Sequence, residues 1–103
     1  MKPVIIISTY PNKKSISKIA NELVKNKIVA CVNISKISSV YSWNDKIENT
    51  SEYLALFKTT YKNKKILKEK IKSTHPYDVP EIAELKVTSI NKSYFDWISD
   101  STT

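Results

Sequence analysis

The stretch Ile28–Lys58, IVACVNISKISSVYSWNDKIENTSEYLALFK, decides the fold. It is rich in β-branched and aromatic residues and is broken once, at Asn44-Asp45, so it reads as two long antiparallel strands joined by a tight turn. The chain contains no glycine. Asn and Asp are then the best residues for the positive φ angles of a two-residue hairpin turn. The outgoing strand begins near Ile28 and ends at Trp43, and the return strand runs from Lys46 to Lys58. Alternation changes midway, because Ala30, Val32 and Ile34 share one parity while Ile37, Tyr41 and Trp43 share the other. A bulge or bend near Ser35-Lys36 is expected from that change. At ~3.3 Å per residue the run from Ala30 to Trp43 spans ~45 Å, against a diameter on the order of 35 Å for a domain of this length. The hairpin therefore overhangs its own domain or bends sharply. An overhanging tip carrying Tyr41, Trp43 and Ile47 exposes aromatic surface in a monomer, and such patches mark partner interfaces. An oligomer with each tip lying on a neighbour is the expectation.

On the N-terminal side, Val4–Thr9 is a β-branched run that suits a covered central strand. Asn12 is placed to cap a helix in which Ile16, Ile19, Ala20, Leu23 and Val24 recur with helical spacing. Beyond the hairpin, Ile66, Leu67 and Ile71 define the inner face of a second helix over Asn63–Ser73, and its lysines form a solvated outer face. Glu81–Val87 alternates as a fourth strand, and Asn91 precedes a short last helix carrying Tyr94, Trp97 and Ile98. The order βαββαβ plus a terminal helix gives a ferredoxin-like α+β sandwich in which both main helices cover one face of an antiparallel sheet. Residues 1–103 read as one domain. Leu54 and Leu56 alternate with Tyr53, Ala55 and Phe57, so both faces of the third strand are apolar, which again favours burial of the open face in an oligomer.

The net charge of +7 invites a nucleic-acid reading. All 17 basic residues are lysine, however, and arginine supplies the bidentate contacts to phosphate and guanine. Specific nucleic-acid recognition is not expected. Tyr53 and Phe57 sit where RNA-recognition modules of this fold display stacking aromatics, but the glycine-containing motif that accompanies them cannot exist here. No apolar run approaches the ~20 residues of a membrane span, and no signal-peptide layout precedes Ile5, so a cytoplasmic protein with no membrane partner is expected. A single cysteine excludes an internal disulfide.

Between the second helix and the fourth strand lies His75-Pro76-Tyr77-Asp78-Val79-Pro80-Glu81-Ile82, with the only histidine and two of the four prolines. Each proline stiffens its own φ and drives the residue before it towards extended geometry. His75 and Cys31 are the candidate metal ligands, suited to copper or another divalent cation. They do not complete a tetrahedral site, so carboxylates or a neighbouring subunit must add donors. Nucleophile elbows, phosphate loops and paired-histidine zinc motifs are absent, and neither an enzyme activity nor an organic cofactor is expected.

Taken together, Ala30-Cys31-Val32-Asn33-Ile34, Ser39-Val40-Tyr41-Ser42-Trp43 before Lys46-Ile47-Glu48, Lys58-Thr59, and His75-Pro76-Tyr77 with Val79-Pro80-Glu81-Ile82 resemble the successive motifs of the CutA divalent-cation tolerance family. The resemblance covers nearly the whole chain. It implies a ferredoxin-like subunit in a tight homotrimer with long hairpins, similar in architecture to PII signalling proteins, and a link to tolerance of copper and other divalent metals. Carried over by motif, Trp43, Glu52, Lys58, His75, Tyr77 and Glu81, with Tyr41 of the hairpin beside them, sit at or near the cleft between subunits. Members often have glycine where this chain turns at Asn44-Asp45, which implies a different turn geometry. Two further classes remain open: a binding or signalling module that holds a small anionic ligand against Lys58, Trp43 and Tyr77, and a structural trimeric scaffold.

Overall fold

A computed structural model describes residues 2–103. The chain runs β1 (Pro3–Tyr10), α1 (Lys13–Lys25), β2 (Cys31–Trp43), β3 (Lys46–Thr60), a 3-10 turn (Tyr61–Asn63), α2 (Lys64–Thr74), β4 (Ala83–Lys86) and α3 (Lys92–Asp100). The four strands form one sheet in the order β2-β3-β1-β4, and every neighbouring pair is antiparallel. This is the ferredoxin-like arrangement expected from the element order.

Burial alternates along β1, where Val4, Ile6, Ser8 and Tyr10 are covered. Those residues stand opposite Thr59, Phe57, Ala55 and Tyr53 of β3, so one face of the sheet carries them all. They pack with Ile16, Ile19 and Leu23 of α1 and with Leu67 and Ile71 of α2 in a single core. Ile6 and Phe57 are fully buried, each stabilising the fold by about 1.5–3 kcal/mol relative to exposure. Asn12 caps α1 as expected, its side chain accepting from Ser15 N at 2.8 Å. At the other end, Ile28 N donates to Leu23 O and Lys27 N to Val24 O, a Schellman closure. Its left-handed position is filled by Lys27 at φ 59°, where glycine is the usual occupant.

β2 pairs with β3 continuously, from Cys31 opposite Lys58 to Trp43 opposite Lys46. The bulge expected near Ser35-Lys36 does not form. The parity change has a different origin: the surface that covers the strand changes along its length. At the base, Val32 points to the helix-backed face and packs against the core. Farther out, Ile37, Tyr41 and Trp43 share the opposite face with Glu52, where the segment after α2 comes across. Asn44 and Asp45, at φ 53° and 64°, make the two-residue turn with both central residues left-handed.

Element ends differ slightly from expectation. β2 begins at Cys31, not Ile28, because Ile28–Ala30 are a buried connector tied down by Ala30 N to Lys58 O. A 3-10 turn takes up Asn63 ahead of α2, and β4 is only Ala83–Lys86. Asn91 stands at the N-cap of α3, yet its amide donates to Ser93 Oγ and leaves the helix backbone uncapped by a side chain. The molecule is elongated, 45 × 26 × 21 Å. The hairpin forms its far end, with Val40 69 %, Trp43 51 % and Ile47 70 % exposed.

Candidate functional site

α2 ends at Thr74, and Pro76 holds His75 extended at φ −72°, ψ 135°, as the sequence predicts. The imidazole turns back onto β1 and stacks on Tyr10 with ring centroids 4.2 Å apart. Its Nδ1 accepts from Tyr77 N at 3.1 Å. That bond places the ring proton on Nε2, which donates to Thr9 O at 2.8 Å with Ser8 Oγ at 3.1 Å. Both nitrogens are thus engaged within the chain. Burial holds the imidazole pKa below its ordinary value, against the opposing pull of the Thr9 carbonyl and the Glu52 carboxylate. His75 acts here as a neutral buttress that fixes the backbone of Tyr77, and no lone pair is left over for a metal.

Tyr77 carries the order set by His75 into the open face of the sheet. Its Oη donates to Glu52 Oε2 at 2.7 Å. Burial, the Glu52 acceptor and its charge, and the nearby Tyr41 push the phenol pKa far up, so it stays a donor throughout the physiological range. Glu52 is 8 % exposed and, among the described residues, pairs with no lysine. Its second oxygen, Oε1, has no hydrogen-bond partner among the described residues. A cavity of about 480 Å³ opens beside it, lined by Thr9, Tyr41, Trp43, Glu52, Pro76, Tyr77, Asp78, Val79 and Glu81. Five of the expected cleft residues, Tyr41, Trp43, Glu52, Tyr77 and Glu81, therefore meet within a single chain.

The remaining candidates lie elsewhere. Lys58 extends to α3, its Nζ 3.3 Å from Tyr94 Oη and 5.4 Å above the Tyr94 ring. Six residue steps along β3 lead from it to Glu52, which is ~20 Å of strand. Cys31 stands opposite Lys58 at the start of β2. His75 binds Ser8 and Thr9, whose partners on β3 are Ala55 and Leu54. That puts Cys31 roughly 13 Å of strand away from His75, and the two do not converge. Among the described residues no three His, Cys, Asp or Glu side chains come together as a ligand set. A divalent ion bound here needs donors beyond one chain.

Sequence reasoning missed Thr9, Pro76, Asp78 and Val79 as cavity walls. The prolines that stiffen residues 75–82 were a sufficient signal for Asp78 and Val79, because a stiff segment presents its neighbours together. Thr9 carried no such signal. It joins only because β1 pairs with β3 and brings its open-face side chain level with Leu54. Tyr10 was missed as well: it is buried beneath His75, and burial, opposed by Ser8, pushes its phenol up to about 12.

With this geometry in place, comparison with known proteins is consistent. Residues 4–101 match the family described as CutA1 divalent ion tolerance protein. The divalent-cation tolerance protein CutA of Thermococcus kodakarensis is 36 % identical over 99 residues, 96 % of this chain and 95 % of that one. The crystal structure of divalent ion tolerance protein CutA1 from Ehrlichia chaffeensis superposes with a TM-score of 0.94 at 37 % identity, covering 100 % of this chain and 98 % of its own. A CutA from Archaeoglobus fulgidus, described as a periplasmic divalent cation tolerance protein, gives a TM-score of 0.91 at 30 % identity over 96 % of this chain and 97 % of its own.

Proposed function

The chain belongs to the family of CutA1 divalent ion tolerance proteins, and on that premise we propose that it is a cytoplasmic homotrimer that binds copper or another divalent cation at a site shared between subunits. The protein catalyses no reaction in this role, and it uses no organic cofactor.

One observation carries the proposal: the buried carboxylate of Glu52 keeps an oxygen unpartnered beside a cavity that also holds Asp78 and Glu81. Carboxylate oxygens are the donors that hard divalent ions take, and copper accepts oxygen donors as well. One chain falls short of a full coordination shell, so a second subunit supplies the rest. The exposed tip supports that division of labour. At the end of the hairpin Val40 and Ile47 on one face and Trp43 on the other are uncovered apolar side chains, and Leu85 is exposed on the sheet's open face. Surfaces of this kind are covered in stable proteins by association.

Calorimetric titration with copper on wild type, Glu52→Gln and His75→Gln tests the site. Wild type binds; Glu52→Gln loses roughly tenfold or more in affinity, because charge count tunes such sites; His75→Gln binds about as wild type does. Equal binding by all three variants removes Glu52 from the site, and loss in His75→Gln alone returns the ligand role to the imidazole. Cell fractionation tests location, which matters because the Archaeoglobus fulgidus relative is described as periplasmic.

A further inference from the structure

The cavity has a chemistry that a divalent ion leaves largely unused. Its volume is about 480 Å³, whereas an ion's six inner waters take on the order of 180 Å³ at about 30 Å³ each. Three of its nine lining residues, Tyr41, Trp43 and Tyr77, are aromatic. Metal ions are not ligated by these rings, but organic cations are drawn to their faces. Three more are acidic. Glu52, Asp78 and Glu81 line it and no lysine does, in a chain whose net charge is +7. Such a pocket is a local negative field on a positive molecule, which attracts cations and repels the anionic ligands that a lysine-lined cleft would take.

Glu52 makes the demand specific. It is more than nine-tenths buried and lines the cavity, Tyr77 satisfies only Oε2, and Oε1 has no donor among the described residues. A buried carboxylate in that state is stabilised most by a charged N–H group, which supplies both a proton to share and a compensating charge. Ring faces beside it favour a cation with an apolar body.

We propose that this cavity binds a small organic cation with N–H donors, of the alkyl diamine or polyamine class, with one ammonium held by Glu52 Oε1 and the hydrocarbon chain against Trp43 and Tyr41. Asp78 and Glu81 compensate the charge farther along the ligand. This ligand class goes beyond the divalent ion proposed above and competes with it for the same carboxylates.

Titration of the assembled full-length protein with 1,4-diaminobutane tests the proposal by calorimetry, together with Glu52→Gln and Trp43→Ala. Gln keeps an acceptor for Tyr77 Oη, so the fold is maintained while the charge is removed. Saturable binding is expected below about 1 mM, the affinity of a few good polar contacts. Glu52→Gln should weaken it about tenfold or more, and Trp43→Ala about threefold to thirtyfold. Absence of saturable binding up to about 10 mM diamine overturns the proposal. So does binding that Glu52→Gln leaves unchanged. Copper titrated separately on wild type keeps the two ligands apart: no copper binding beside saturable diamine binding contradicts only the divalent-ion proposal, and copper binding without diamine binding contradicts only this one.

Discussion

The two ends of the hairpin formed by β2 and β3 obey different rules. At its base, Val32, Ala55 and Phe57 meet the helices, and side-chain valences are closed locally, as where Thr59 Oγ1 donates to Ile28 O at 2.6 Å. Towards its tip, Val40, Trp43 and Ile47 are exposed, and Glu52 at the boundary keeps one oxygen without a partner. The base is a finished core. The tip carries uncovered apolar side chains at Val40, Trp43 and Ile47 among polar ones, and the ligand chemistry sits where base and tip meet. An unfinished region of this sort points to what the single chain lacks: a neighbouring subunit and a cation.

The largest effect should come from the finished end. Phe57→Ala removes a fully buried ring from the centre of the core and should cost about 3–5 kcal/mol, read by denaturant unfolding. A loss under about 1 kcal/mol would mean that the base is not the stabilising half. Tyr77→Phe, at the boundary, deletes the donor to Glu52 Oε2 and leaves a buried carboxylate with neither oxygen bonded. It should cost about 1–3 kcal/mol, and Glu52→Gln in the same background should recover part of that loss.

Lys27→Gly relieves a left-handed residue behind α1 and should stabilise by up to about 1 kcal/mol, seen as a higher Tm. A destabilised variant would show that the lysine stem contributes more than its backbone costs. The smallest effect is on pH dependence. Because His75 is held neutral, the unfolded chain binds its proton before the folded chain does as pH falls below about 6.5. The stabilisation is complete above that pH, declines as pH drops towards the lowered folded value, and then levels off. His75→Gln should flatten this part of the Tm-versus-pH curve. An unchanged slope would assign it to other groups.

Much of the fold was legible because its signals are local. Helical spacing of Ile16, Ile19 and Leu23, a cap at Asn12 and a glycine-free turn at Asn44-Asp45 depend only on near neighbours. The bulge was misread because parity reports which face is apolar, and both faces of this strand meet apolar surface at different points along its length. The site was legible in part. Glu52, Tyr77, Trp43 and Tyr41 do come together, since two stiff elements carry them. His75 attracts a metal role because imidazole and the Cys31 thiol are the chain's candidate metal donors, and only the three-dimensional contacts with Thr9 and Tyr77 show its nitrogens engaged. Lys58 was grouped with the cleft by motif, yet the strand length between it and Glu52 keeps them apart within one chain.

Assembly is where the unfinished tip is tested most directly. Light scattering coupled to size exclusion, at low protein concentration, should give a mass of about 35 kDa, three times the 11.8 kDa chain. Ile47→Lys, exposed in the single chain, should lower that mass without unfolding the subunit. A stable, folded wild-type species at 11.8 kDa would contradict the claim that the hairpin tip is completed by a neighbour.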